Sequence, residues 1–163
     1  MNDKKLHLEI MTPEKKVVDE DVDYVSAPGF KGEFGVLPGH ADLVLLLRPG
    51  EVAVDSGGLI SYYAVSWGYA YVDESSVSIL VENAEKAEEI DAERALKERD
   101  KWENEGLSSL SHRQLDEELE YGRSVSQETA GMEEGNEDLI KIGLKKERAQ
   151  ARIDVAARIV EKK

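Results

Sequence analysis

Chemistry in this chain falls to a restricted set of side chains: three histidines, 35 Asp and Glu, 21 Lys and Arg, and no cysteine. The lack of cysteine removes disulfides, thiolate catalysis and cysteine-ligated metals without fixing a redox compartment. His7, His40 and His112 have no His-Glu-x-x-His pair and no second ligand at local helical spacing, so no metal site is expected. The run Gly29-Phe30-Lys31-Gly32-Glu33-Phe34-Gly35 has the glycine density of a phosphate-gripping loop. It lacks Gly-Lys-Ser/Thr, however, and no helix follows to supply a dipole, so tight turns account for the glycines better. Ser66-Trp67-Gly68 lacks the leading glycine and flanking helix of a nucleophile elbow. Nothing assembles nucleophile, base and oxyanion hole, which points away from an enzyme acting alone.

The elements that must position these residues are bounded by composition. With 163 residues, 40 % apolar and 34 % charged, the chain fits one domain with an appendage around one modest core. The longest clearly apolar run, Leu43–Leu47, is far short of the roughly 20 residues that cross a bilayer, so no membrane insertion is expected. Met1–Leu8 is polar and has no apolar region of a secretory signal. A net charge of −14 argues against nucleic acid or anionic lipid as the main partner. The charge is uneven. Residues 103–138 carry 11 acids and two bases, whereas residues 139–163 carry three acids and eight bases. A basic tail on an acidic chain predicts an acidic protein partner, or docking on the chain's own acidic part.

Up to about residue 82 the pattern has period 2. Leu6, Leu8 and Ile10 alternate with polar residues, as do Val52 and Val54, Tyr69 and Tyr71, and Val77, Ile79 and Val81. Turn signals at Pro13, Pro28-Gly29, Pro38-Gly39, Pro49-Gly50 and Gly57-Gly58 separate these runs. About eight to ten short strands with no intervening helix predict an all-β sandwich over residues 1–85. Residues 86–163 read as a helical domain, giving an α+β chain organised by segments. Asp91 caps a predicted helix over residues 91–105 with Gly106 as its stop, and a second helix covers 139–161. Ile142, Ala149, Ile153, Ala156 and Val160 form a narrow apolar stripe on it. Residues 106–138 are expected to be a long acidic linker carrying one short helix at about 112–121.

One stretch is more specific than any of these patterns. Pro28-Gly29-Phe30-Lys31-Gly32-Glu33-Phe34-Gly35-Val36-Leu37-Pro38-Gly39-His40, followed by Leu47-Arg48-Pro49-Gly50, resembles the motif of the epsilon subunit of the F-type ATP synthase. Leu8-Glu9-Ile10-Met11-Thr12-Pro13 and Gly68-Tyr69-Ala70-Tyr71-Val72 fit it as well. The resemblance implies a β sandwich followed by two helices, in a non-catalytic central-stalk subunit that couples c-ring rotation to the gamma subunit. It implies a peripheral location on the cytoplasmic face of a bacterial inner membrane, and C-terminal helices that inhibit ATP hydrolysis when extended into the catalytic head. Glu33 and His40 stand at the motif positions that face the c ring.

Ile90-Asp91-Ala92-Glu93-Arg94-Ala95 resembles the I/L-D-x-x-R-A motif of epsilon subunits that bind ATP in a folded hairpin. On that likeness no cofactor is required, but regulatory ATP would be held by Glu85, Ile90, Asp91, Arg94, Arg148 and Arg152. The structural alternative makes Asp91 an N-cap and the arginines a solvated stripe. Lys145, Lys146, Arg148, Arg152 and Arg158 are the bases expected to dock on acidic loops of the catalytic alpha/beta head, in competition with the acidic linker. The long linker departs from the family and puts the register of the two helices in question. A rival from another class is a soluble β-sandwich ligand-binding module with a helical oligomerisation tail.

Overall fold

The computed structural model describes the backbone of residues 4–121 and 134–161, and the side chains of 4–108 and 140–159. Ten strands come first: β1 (Leu6–Met11), β2 (Lys16–Val22), β3 (Tyr24–Gly29), β4 (Gly32–Val36), β5 (Leu43–Leu47), β6 (Gly50–Ser56), β7 (Leu59–Val65), β8 (Gly68–Val72), β9 (Ser76–Val81) and β10 (Ala84–Lys86). A 3-10 turn, Ala87–Glu89, leads to helix α1 (Ala92–Tyr121), and helix α2 (Glu134–Glu161) follows. The hydrogen-bonded order is β10-β7-β6-β3-β5-β8-β9-β1-β2, with β4 paired to β3. Every pairing is antiparallel except that of β1 with β9.

Alternation places the core. Leu8, Ile10, Val52, Val54, Ile79 and Val81 are all buried, joined by Leu6, Val25, Val36 and Leu47. Ile10 stands opposite Ile79, and Leu8 opposite Val77, across the parallel β1–β9 pair. Two turns show what the glycines do. Gly57 and Gly58 join β6 to β7 with φ of 64° and 83°, the left-handed pair that a two-residue hairpin needs. Their amides donate to Asp23 Oδ2 at 2.6 Å and Asp55 Oδ1 at 2.8 Å. At Gly68 a Cβ would lie 2.0 Å from the Leu80 carbonyl oxygen, so no other residue fits where β8 meets β9.

Four expectations are corrected. Tyr69 and Tyr71 point outward, 56 % and 57 % exposed, and it is the smaller Ala70 and Val72 that fill the interior. Period 2 sets which residues share a face but not which face is wet, and a phenol tolerates water better than valine does. Gly106 does not end a helix: α1 runs on to Tyr121, so the predicted short helix at 112–121 is its second half. A Cβ at Gly106 would lie 3.5 Å from Ile142 Cγ2, an ordinary contact, so this glycine faces α2. The expected linker 106–138 is therefore helical at both ends, and residues 122–133 lie outside the described residues. The stripe of α2 is corrected only in part: Ala149 is buried and Ile142, Ile153 and Ala156 are half-buried, but the residues on the sandwich side are Ala151 and Val155, next to Arg152, with Ile159 packed alongside, and the side chain of Val160 lies outside the described residues.

Helix α2 lies between α1 and the sandwich. Val155, fully buried, packs with Ala64 of β7 and Ala87, and Tyr62, Ile90 and Ile159 close around them. This satellite cluster is small beside the main core. Truncating Ile79, at 0 % exposure, to alanine is expected to lower unfolding free energy by about 2–5 kcal/mol through the cavity it leaves. Urea denaturation measures this, and a loss below about 0.5 kcal/mol would contradict the packing described.

Candidate functional site

Some of the charged residues singled out, Glu85, Asp91, Arg94 and Arg152, meet near the start of α1. Asp91 precedes the first turn, and its carboxylate accepts the Arg94 backbone N–H at 2.9 Å, as an N-cap does. That geometry sets the phase of α1, so Arg94 and Glu98 share a face one turn apart, with Arg94 Nε donating to Glu98 at 3.1 Å. Glu98 Oε2 accepts from Arg152 Nη1 of α2 at 2.7 Å. Arg152 Nε in turn donates to Glu85 of β10 at 3.1 Å. The result is a continuous relay, Arg94–Glu98–Arg152–Glu85, that touches both helices and the sandwich. The Arg152 side chain is only 10 % exposed, and a guanidinium so far from water is stable only with its charge answered.

Other bases of α2 are engaged in the same way. Arg158 donates from Nε and Nη2 to the two oxygens of Glu51 on β6, at 2.8 and 3.3 Å, and lies over the Tyr62 ring. Lys146 reaches Glu103 of α1 at 3.0 Å. Lys145 sits over the Trp102 ring, 4.1 Å from its centroid, with Lys101 also against that ring. Arg148 is half-buried and has no ion-pair partner among the described residues. Of the six residues expected around a nucleotide, Glu85 and Arg152 are thus bonded directly, and Arg94 joins them through Glu98. Asp91 supplies the cap, Ile90 packs in the satellite cluster, and Arg148 stands outside the relay. Glu98, the member that joins the two arginines, was missed in the sequence, although its helical spacing from Arg94 was there to be read.

Glu33 and His40 flank β4, Glu33 near its first residue and His40 beyond its last. Glu33 is exposed and lines a 430 Å³ groove with Arg48, Glu51, Asp154 and Arg158, between the β3–β4 turn and the end of α2. The His40 ring nitrogen Nδ1 lies 2.7 Å from the Ala41 carbonyl oxygen, and the loop is tied down by Gly39 N–H to the Glu74 carbonyl at 2.8 Å. On the opposite edge, strand pairing gathers His7, Glu9 and Asp19, whose ligand atoms lie within 4.8 Å of one another. A cation is already there: Lys16 Nζ lies 2.5 Å from Glu9 and 2.9 Å from Asp19. The Asp21 carboxylate hydrogen-bonded to His7 raises the pKa of that imidazole.

The outer face of β5, β8 and β9 carries a different kind of feature. Val44 stands opposite Tyr71, Leu46 opposite Tyr69, and Tyr69 opposite Leu80, and all five side chains are exposed. Beside them Met11, Pro13 and Trp67 line a 510 Å³ cleft. The Trp67 indole Nε1 is buried and has no acceptor among the described residues, and Phe30 stacks obliquely on Trp67 at 6.1 Å.

Comparison with known proteins matches residues 5–87 to the family described as "ATP synthase, Delta/Epsilon chain, beta-sandwich domain". The chain is 53 % identical over 91 residues to the ATP synthase epsilon chain of Geotalea daltonii, a match covering 56 % of this chain and 66 % of that one. It is 48 % identical over 101 residues to the epsilon chain of Nitratidesulfovibrio vulgaris, covering 62 % and 75 %. The chain thus spans just under two thirds of the length of the first of these relatives. Its fold is similar to a chain of the Euglena gracilis mitochondrial ATP synthase, with a TM-score of 0.65 at 23 % identity over 90 % of this chain and 78 % of that one. A chain of the Tetrahymena thermophila mitochondrial enzyme gives 0.53 at 10 % identity over 98 % of both. At such identities the likeness is one of fold.

The contact of α2 with the sandwich yields a direct test. Arg158 is 48 % exposed, so its bidentate bond to Glu51 is screened, and a double-mutant cycle of Arg158→Ala and Glu51→Gln should give a coupling of about 0.5–1 kcal/mol or less. The coupling should shrink as salt rises. A coupling that salt does not change would mean packing on Tyr62, not charge, holds Arg158.

Proposed function

The chain belongs to the delta/epsilon family of ATP synthase subunits, and from that membership we propose that it is a non-catalytic subunit of the central stalk of an F-type ATP synthase. The sandwich packs on the gamma subunit and meets the c ring, so that rotation passes between them, and the C-terminal helices restrain ATP hydrolysis. The observation that carries this reading is the outer face of β5, β8 and β9. Val44, Leu46, Tyr69, Tyr71 and Leu80 form contiguous exposed apolar surface of a kind that marks a protein interface. Aromatic anchors beside a cleft are what a tight interface uses at its centre.

The remaining parts fit the same role. Glu33 and His40 are the residues proposed to meet polar loops of the c ring. Lys145, Lys146, Arg148, Arg152 and Arg158 are the bases proposed to dock on acidic loops of the catalytic head when the hairpin extends. In the compact form Lys146, Arg152 and Arg158 hold carboxylates of this chain, so docking requires those pairs to open. Regulatory ATP is proposed to bind at Asp91, Arg94, Arg148 and Arg152 and to favour the compact form. No helix among the described residues is long and apolar enough to cross a membrane, and attachment to the cytoplasmic face of the bacterial inner membrane is proposed to run through the complex.

Two measurements test this. Leu46→Asp combined with Tyr69→Asp should weaken capture of the gamma subunit by about 30-fold or more, the equivalent of losing a 2 kcal/mol hot spot, while leaving the melting curve of the isolated chain in place. Unchanged capture would remove gamma from this face. Deleting residues 139–163 should raise ATP hydrolysis by the reconstituted complex without loss of gamma binding. Replacing Arg148, Arg152 and Arg158 together with alanine should do most of the same, with an effect that falls as salt rises. Unchanged hydrolysis at low and high salt would show that the tail is not an inhibitory arm.

A further inference from the structure

Among the described residues, Glu98 is a carboxylate shared by two arginines, one oxygen on Arg94 Nε at 3.1 Å and the other on Arg152 Nη1 at 2.7 Å. One of those arginines is buried, and its remaining bond goes to Glu85. Two guanidinium groups each holding a different oxygen of one anion is how an arginine pair grips a phosphate. The anion here is covalently part of α1. We infer that Glu98 is a built-in counter-anion occupying the place a nucleotide phosphate would take, so that the compact hairpin closes without nucleotide and a nucleotide binds only by displacing it.

The inference rests on the nucleotide reading given above and adds its regulation. Charge supports it. Arg94 and Arg152 carry two positive charges, Glu85 and Glu98 two negative ones, and the relay is neutral as it stands. An approaching phosphate therefore meets no excess positive field there and finds the donors that would hold it already in use. A carboxylate fixed one turn from Arg94 also forms its contacts without the loss of translational freedom that a free ligand suffers. Arg148 is the base left to a ligand, and one half-buried cation does not outweigh a closed relay. The same relay joins β10, α1 and α2, so a nucleotide that displaces Glu98 must itself bridge Arg94 and Arg152 for the two helices to stay closed.

The test uses the full-length chain as wild type, E98Q and E98A. ATP affinity is measured by titration calorimetry, and amide exchange of α1 and α2 is followed with and without ATP. Glutamine keeps the size of the side chain and removes its charge, and alanine removes the contact altogether. Since Glu98 is 37 % exposed at its side chain, neither change threatens the sandwich core. E98Q and E98A are expected to bind ATP about tenfold tighter than wild type, the effect of freeing charge-assisted donors. Their α2 amides should exchange faster than wild type without nucleotide and regain protection with ATP, whereas wild-type exchange should be slow in both conditions. If all three proteins bind ATP with equal affinity, the competition is wrong while the nucleotide reading stands. Weaker binding by the variants overturns it too, and would make Glu98 a positioning residue. If none of the three binds ATP, the nucleotide reading fails and this inference fails with it.

Discussion

A guanidinium that keeps only a tenth of its surface in water cannot be left without counter-charge, and Arg152 is where that requirement organises the chain. Its partners come from different parts of the sequence: Glu85 from the last strand, Glu98 from the first helix, and the arginine itself from the second. Satisfying one charge therefore sets the register of three elements at once. Val155, less than a turn further on and fully buried, adds apolar contact to the same seam. The ion pairs select one docking of α2, since sliding the helix by a turn would strand a buried charge at a cost of several kcal/mol.

The sandwich has no such dependence. Its core draws on all ten strands, aliphatic but for Tyr63, and among the described residues none of it comes from the helices. By contrast the surface joining α2 to the sandwich consists of two alanines, one valine and their half-buried neighbours, framed by the Arg152 and Arg158 pairs. Outside the buried Arg152 pairs, little apolar area and the exposed Arg158 pair hold this joint, and lightly packed joints are where proteins open locally. A densely packed body and a lightly packed helix contact follow from that difference in chemistry. The outer tyrosines of β8 then serve the body's surface rather than its stability, because the interior is already filled by Ala70 and Val72.

Much of this was legible in the residues. Period-2 alternation with Gly and Pro punctuation is a local signal, and it placed Leu8, Ile10, Val52, Val54, Ile79 and Val81 in the core. Asp91 as a cap is local too, since an N-cap bonds within three residues. The errors arose where a local rule had two outcomes. Alternation at Tyr69 and Tyr71 was read correctly as a strand, but which face is wet depends on what the opposite layer supplies. Gly106 is a plausible helix stop by propensity, but at about 1 kcal/mol against alanine that preference is too small to end α1, which runs on to Tyr121.

The nonlocal contacts were out of reach for a different reason. Glu85 with Arg152 spans 67 residues, and Glu51 with Arg158 spans 107, and no spacing rule connects positions so far apart. The gathering of His7, Glu9 and Asp19 depends on the register of β1 against β2, which a shift of one residue would abolish. By itself the sequence determined the β body, the two helices, the signed charge of each segment and the motif that marks the family. Only the tertiary structure decided which carboxylate answers which arginine, because a charged side chain can be matched by any opposite charge of a chain this acidic. Packing alone chooses among them.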